Sequence, residues 1–365
     1  MLDIRKLRLL RELAHRETIA AVADALAYTP SAVSQQLSAL EREAGVPLLE
    51  RTGRRVTLTP AARTLVEHAE TILAVLEQAA ADLAISRAEL TGTLRIGAFP
   101  TAVRTILSPA LVALSRDHPG LELMVTELDP ATAPAALRAE TLDVALVQEY
   151  DYVPVEPDPA LDTEPLLEET IYLAALSDAS LDAHRETSWI AGTPDTLCHT
   201  MTVRACQAAG FTPHVRHHAD DFGTVLALVA AGQGVALVPE LGALTCPAEV
   251  TLTPLATRRR TLLAYRRGTG NHPAVRAARS ALRASVAQGS AATQGSATVQ
   301  SSATAQSSAA VQGSAAVQGS AATQGVAATQ GNATAQSSAA AQGNASAQSS
   351  AAAQGNAAGP AQRSR

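Results

Sequence analysis

The sequence predicts an all-α winged helix-turn-helix head with a linker helix, a two-lobed α/β domain behind it, and a disordered C-terminal tail. Three observations carry that class. Residues 1–59 show helical apolar periodicity and one hairpin signal, "RTGRRVTLT". From Gly92 the short apolar runs TLRIGA, LELMVTE, LDVALV, IYLAAL, GVALVP and TLLAYR alternate with helical patterns, the signature of an α/β domain. From Gln288 to Gln354 a glutamine returns every six residues in a tract of Ala, Ser, Gly and Thr.

The first helix is expected over about Ile4 to His15, with Ile4, Leu7, Leu10 and Leu13 facing inward. Thr18 can cap a second, "IAAVADAL", which buries Ile19, Val22, Ala23 and Leu26. Thr29-Pro30 starts a third, because a capping Thr followed by Pro at the first helical position suits an N-terminus. In that helix Val33, Leu37 and Leu40 form the apolar stripe. Ser31, Gln35, Ser38 and Arg42 fall on the opposite face, flanked by Ser34 and Gln36. Short polar side chains on a helix can read base edges in a major groove, Gln by bidentate pairing with adenine. Arg51, Arg54 and Arg55 on the hairpin that follows suit phosphates or a minor groove. A solvated helix face beside a charged turn is the plainer alternative. The wing after the third helix favours double-stranded DNA.

Charge is consistent with that reading only locally. The chain carries a net −6, but residues 1–63 hold ten Arg or Lys against seven Asp or Glu. Residues 60–90 lack Gly and read as one linker helix. Its apolar positions Leu65, Ala69, Ile72, Leu76, Ala79 and Leu83 step by 4, 3, 4, 3 and 4, a coiled-coil seam that wants a second copy of itself. Packing on its own α/β domain is the alternative partner.

The stretch AVADALAYTPSAVSQQLSALEREAGVPLLERTGRRVTLTPA resembles, nearly without interruption, the winged helix-turn-helix of the LysR-type transcriptional regulators. The resemblance continues at lower specificity to about residue 285. It implies a homodimer through the linker helix, often a dimer of dimers, with RNA polymerase as a further partner. It also implies an effector-binding domain like a periplasmic binding protein over 91–286, with a second lobe at about 165–255. One position departs from the pattern: Gln35 stands where relatives often carry Arg.

The loop Phe99-Pro100-Thr101-Ala102 ends a strand and opens a helix, where open α/β sheets bind ligands and free N–H groups favour anions. Pro100, Thr101 and Ala102 are therefore candidate effector contacts, with an ordinary helix cap as the alternative. Carried over by resemblance, the "CHTM" turn with His199 and Thr200, and the loop at Asp220–Phe222 with Asp221, line the same cleft. A carboxylate is the candidate effector for His199, which otherwise reads as a surface histidine. Asp195 or Thr196 caps the helix of the CHTM turn.

Other functions are weighed against this one. Cys198 and Cys206 lie eight residues apart and raise a thiol-based redox sensor, although a bridge between them would need local unfolding. A small-molecule-binding protein or an enzyme with a helical head is the third reading. No GxSxG, phosphate-cradling glycine loop or HExxH occurs, so no catalysis and no cofactor are expected. "HVRHHADD" collects three His, but strand alternation sets His217 and His218 on opposite faces, and no metal is expected. No apolar run reaches about 18 residues, and the charged N-terminus is unlike a signal peptide, so a cytoplasmic protein with no membrane contact is expected. The tract over 287–365 is too poor in apolar area to offset chain entropy and is expected to be disordered.

Overall fold

The computed structural model describes residues 1–52, 55–86 and 89–289. The chain divides into two units, Met1–Ser302 and Ala303–Arg365, and every described residue belongs to the first. The tail expected to be disordered lies, from residue 290 onward, outside the described residues.

Three capped helices build the head. In α1 (Ile4–Arg16), Asp3 accepts the Arg5 N–H at 2.8 Å. In α2 (Ile19–Ala25), Thr18 accepts from Ala21, and in α3 (Pro30–Ala44), Thr29 accepts from Ala32, both at 3.2 Å. Each such cap contributes about 1 kcal/mol. Gly45 ends α3 at φ +71°, a left-handed turn that an L side chain resists. Leu7, Leu10, Leu13, Val22, Val33, Leu37 and Leu40 close the core, each at 2% exposure or less, contributing about 1.5–3 kcal/mol apiece. Ile4, expected inside, is 43% exposed in the first turn, and Leu9 is buried instead.

The head is not all-α, which corrects the expected class. Strands β1 (Leu49–Thr52) and β2 (Arg55–Leu58) pair antiparallel, Leu49 opposite Leu58 and Thr52 opposite Arg55. Their alternation turns Leu49, Val56 and Leu58 toward the helical core. Glu41 fixes where the hairpin begins, its Oε1 accepting the N–H groups of Leu48 and Leu49 at 2.9 and 3.0 Å. Thr59 caps α4 (Pro60–Ile85) through the Ala62 N–H and donates to the Pro47 carbonyl.

The α/β domain is one eight-stranded sheet. Its strands are β3 (Gly92–Ala98), β4 (Leu121–Glu127), β5 (Val144–Tyr150), β6 (Leu161–Ala175), β7 (Ser188–Ala191), β8 (His214–His218), β9 (Val235–Pro239) and β10 (Thr251–Arg266). Their order is β4-β3-β5-β10-β6-β9-β7-β8. Parallel pairs β3/β4 and β3/β5 form one half, and β7/β8 and β7/β9 the other. The long antiparallel strands β6 and β10 run through both.

Helices α5 (Pro100–Ala102), α6 (Ser108–Asp117) and α7 (Ala133–Arg138) cover the first half, together with a final helix α10 over 273–289. Helices α8 (Leu197–Ala208) and α9 (Phe222–Ala230) cover the second. Each half has its own core, around Leu94, Ile96, Leu107, Leu146 and Leu282 in the first lobe and around Trp189, Met201, Cys206 and Leu237 in the second. Strands β7 and β8 are not among the six apolar runs of the sequence. The first is four residues long, and the second, "HVRHH", is mostly polar.

The head docks on the first lobe. Arg11, Glu12, Glu70 and Arg138 are all buried where α1 and α4 meet α7. Arg11 donates to the Arg138 carbonyl at 3.2 Å and Arg16 to that of Ala135 at 3.4 Å. Arg266, at the end of β10, pairs with Glu77 of α4 at 2.8 Å. Gly268, at φ +92°, lies so close to α4 that a Cβ there would strike the Ala74 carbonyl.

Candidate functional site

Two surfaces concentrate polar chemistry. The first is the outer face of α3. Ser31, Gln35, Gln36, Ser38 and Arg42 are exposed or half-buried, as is Ser34, while Val33, Leu37 and Leu40 are sealed beneath. The Thr29 and Ser31 hydroxyls lie 3.1 Å apart at the start of the helix, and Arg42 Nε reaches the Ser38 carbonyl at 3.4 Å. The two glutamines are left open to solvent with unspent donors and acceptors. Arg51 and Arg55 sit on the two strands of the hairpin, Arg51 opposite Val56. Arg54 lies outside the described residues.

The second surface is a cavity of about 410 Å³ between the lobes. The first lobe supplies Phe99, Pro100, Thr101, the stretch Glu127 to Pro130, and Gln148. The second supplies Thr193, Thr196, Cys198, Asp220 and Phe222, and β10 supplies Arg259.

Arg259 is 1% exposed and its Nε pairs with Glu169, itself buried. Glu169 Oε2 accepts the Leu241 N–H at 2.8 Å, so both of its oxygens are engaged. Nη1 and Nη2 of Arg259 reach Gln148 Oε1 at 3.3 Å and Thr101 Oγ1 at 3.4 Å, and its Cζ lies 5.0 Å from the centre of the Phe99 ring. Burial pulls the Arg259 guanidinium down, but the charge and hydrogen bond of Glu169, together with Tyr150 and Cys198, outweigh it and hold the group above its ordinary value. Beside it the Tyr150 hydroxyl meets Cys198 Sγ at 3.3 Å, and Gln148 Nε2 lies 3.7 Å from the same sulfur. Burial pushes the Cys198 thiol up, which keeps it protonated and a poor nucleophile. That chemistry disfavours the redox alternative.

Of the sequence candidates, Pro100 and Thr101 line the cavity. Ala102 is packed in the core of the first lobe. His199 donates from Nδ1 to the Gly192 carbonyl at 3.0 Å, and Thr200 donates to the Thr196 carbonyl at 3.1 Å. Thr196, rather than Asp195, caps α8, accepting the His199 N–H at 3.2 Å. Asp221 caps α9 through the Thr224 N–H and pairs with Arg104 of the first lobe at 3.0 Å. The Thr224 N–H, then Arg104, hold its carboxyl below the ordinary range against burial.

The residues that sequence reading missed are Gln148, Glu169, Arg259, Glu127 and Asp129. For Glu169 and Arg259 the signal was an acidic pair, Glu168-Glu169, set against the run Arg258-Arg259-Arg260. Antiparallel register places Arg259 opposite Glu169, and that register cannot be read along one strand. Among the described residues, no group of three or more His, Cys, Asp or Glu is placed to hold a metal ion. Nor is any described helix long and apolar enough to cross a membrane.

A family model described as "LysR substrate binding domain" matches residues 87–287, and "Bacterial regulatory helix-turn-helix protein, lysR family" matches 4–63. The chain belongs to the LysR family. This LysR-type transcriptional regulator is 30% identical over 249 residues to the transcriptional dual regulator GltC of Bacillus subtilis, covering 66% of this chain and 81% of that protein. It is 36% identical over 168 residues to a "Probable hydrogen peroxide-inducible genes activator" of Mycobacterium xenopi, covering 46% and 86%. The structure of a cysteine mutant of Corynebacterium glutamicum OxyR matches with a TM-score of 0.50 at 25% identity, covering 81% of this chain and 95% of that one. As a LysR-type regulator the protein is a DNA-binding protein with an effector-binding domain behind its helix-turn-helix.

Proposed function

We propose that this regulator reads an operator with α3, pairs with a second copy through α4, and answers to a small molecule held between its lobes. The observation that carries the reading is the face of Ser31, Ser34, Gln35, Gln36, Ser38 and Arg42, presented to solvent on a helix whose other side is fully sealed. A polar face so rigidly backed presents its side chains in one register, as base-edge recognition needs. Arg51, Arg54 and Arg55 are the phosphate or minor-groove contacts of this proposal.

Four apolar positions of the predicted α4 seam, Ile72, Leu76, Ala79 and Leu83, are exposed in the single chain. A second α4 satisfies them, giving a homodimer or a pair of dimers. The small molecule meets Pro100, Thr101 and the neighbouring cavity wall, with Ala102, His199, Thr200 and Asp221 shaping the loops behind it. The wall residues Leu128 to Pro130 run straight on into α7, which touches α1 of the head. Ligand contact on that wall is thereby passed to the DNA-reading end. The protein works in the cytoplasm without catalytic turnover, with RNA polymerase as its downstream partner.

Gel retardation with DNA upstream of its own gene tests the reading. Gln35→Ala should lose about 1–3 kcal/mol of discrimination at one base position per half-site. Arg54→Ala should weaken all sequences alike and make the salt slope shallower by about 0.9 for each phosphate it ceases to neutralise. Identical behaviour of the two variants contradicts the division between base and phosphate contacts. Absence of any preference over random duplex contradicts the operator reading.

A further inference from the structure

The charge of the cavity says what class of ligand belongs in it. Among the residues lining it, Arg259 is the only cation, and its charge is already matched. Glu169 holds it from behind, and Gln148, Thr101 and the Phe99 ring surround the rest of the guanidinium. The pair brings no net charge to the cavity. A carboxylate arriving here would have to compete with Glu169 inside the core.

The opposite wall is acidic. Glu127, Asp129 and Asp220 line the same space from three different positions in the chain. Asp220 takes the N–H and the hydroxyl of Thr193, both at 2.8 Å, and Asp129 Oδ1 takes the Ala131 N–H at 2.8 Å. These partners are neutral, so they orient the carboxylates without cancelling them. Glu127 is exposed at the end of β4. The cavity therefore gathers three uncompensated negative charges around one neutral ion pair. Phe99 and Phe222, which also line it, add aromatic surface that favours an apolar body or a cation.

We propose that the cleft takes an amine-bearing small molecule, its ammonium group held by Glu127, Asp129 and Asp220 and its apolar body against Phe99 and Phe222. This assignment rests on the reading of the cleft as the effector site, and it replaces the carboxylate expected at His199. The α8 N-terminus and Thr101 favour anions taken one at a time. The wall carboxylates decide the sign of the field because they are whole charges, whereas a helix end and a hydroxyl offer only partial ones.

The test uses the full chain and matched probes of opposite charge: tyramine against 4-hydroxyphenylacetate, and putrescine against adipate. Each is titrated by calorimetry and by thermal shift at fixed ionic strength. The amines should bind and raise Tm, and the acids should not. Glu127→Gln combined with Asp129→Asn should weaken amine binding by about tenfold or more, the loss expected from removing charged hydrogen-bond partners. The unliganded Tm should hardly move, because Asn keeps an oxygen for Ala131 and Glu127 is exposed. Glu127→Gln alone serves as the milder variant if the double one unfolds. Acids that bind while amines do not overturn the assignment and leave the cleft reading standing. Amines that bind the double variant as well as the wild type also overturn it. Silence from all four probes overturns the assignment and the cleft reading together.

Discussion

Cys206 and Cys198 lie eight residues apart on α8, and their surroundings separate them. Cys206 is fully enclosed in the core of the second lobe, and burial pushes its thiol up to about 12. Cys198 borders the cavity, where the Tyr150 hydroxyl, Arg259 and Gln148 oppose the effect of burial. Below about pH 9 both folded and unfolded chains keep the Cys206 proton, and its contribution is complete. Above that the unfolded chain releases the proton while the folded one holds it until about 12, so stability falls as pH rises. The expected slope from Cys206 is up to about 1.4 kcal/mol per pH unit. Urea unfolding at pH 8.0, 9.0 and 10.0 should show a shallower alkaline decline for Cys206→Ala than for the wild type. Parallel declines would place the proton elsewhere. At this scale the sequence named Thr101, Thr196 and Cys198, since a turn or a cap is written in neighbouring residues. It did not name Arg259 with Glu169, which are ninety positions apart and meet only through β-register.

Helix α4 shows how far an element can be read from periodicity. Its step of 4 and 3 predicted one continuous apolar stripe, and the structure divides that stripe in two. Leu65 packs on the head and Ala69 is buried in it, whereas Ile72, Leu76 and Leu83 stand 39%, 43% and 73% exposed. Val75 at 63% and Ile85 at 50% widen the open part. The side of α4 that docks on the first lobe carries instead Glu70, Leu73, Ala74 and Glu77, a mixed set that hydrophobic patterning passes over. Short β7 and polar β8 escaped for the same reason, since packing between neighbours rather than their own residues makes them strands. Leu76→Glu with Leu83→Glu should leave the head intact, because neither side chain belongs to its core. Light scattering should find this variant monomeric where the wild type is dimeric. Its operator affinity should fall by about 10²–10⁴, the gain that linking two reading heads provides. A variant that stays dimeric would rule out the α4 seam as the interface.

Across the whole molecule, the join between head and first lobe is ionic. Glu12 is fully buried, accepting from Arg11 at 3.1 Å and Arg16 at 3.0 Å, with Arg138 Nε at 3.8 Å. Arg138 also pairs with Asp158, and Arg11 lies 3.9 Å from Glu70. Three guanidiniums thus face three carboxylates, and the charges balance only while all six are present. Nε of Arg11 and of Arg138 is buried without a hydrogen-bond partner, so the cluster is incompletely satisfied even when docked. Such a joint holds firmly but has little to lose by opening to water, where every one of these groups is solvated. Glu12→Gln keeps the shape and removes one charge, leaving Arg11, Arg16 and Arg138 in mutual repulsion at a cost of about 3–5 kcal/mol. Because Glu12 belongs to neither hydrophobic core, each part should stay folded while the docking fails. Calorimetry should then show one unfolding transition in the wild type and two in Glu12→Gln, and small-angle scattering a larger radius of gyration. The same variant should keep its affinity for any ligand that stabilises the wild type, yet lose the effect of that ligand on operator binding, since α7 links cavity wall to head. Coupling is reciprocal, so operator DNA should also cease to alter ligand affinity. A single transition with full coupling in Glu12→Gln would mean that the signal travels by another route.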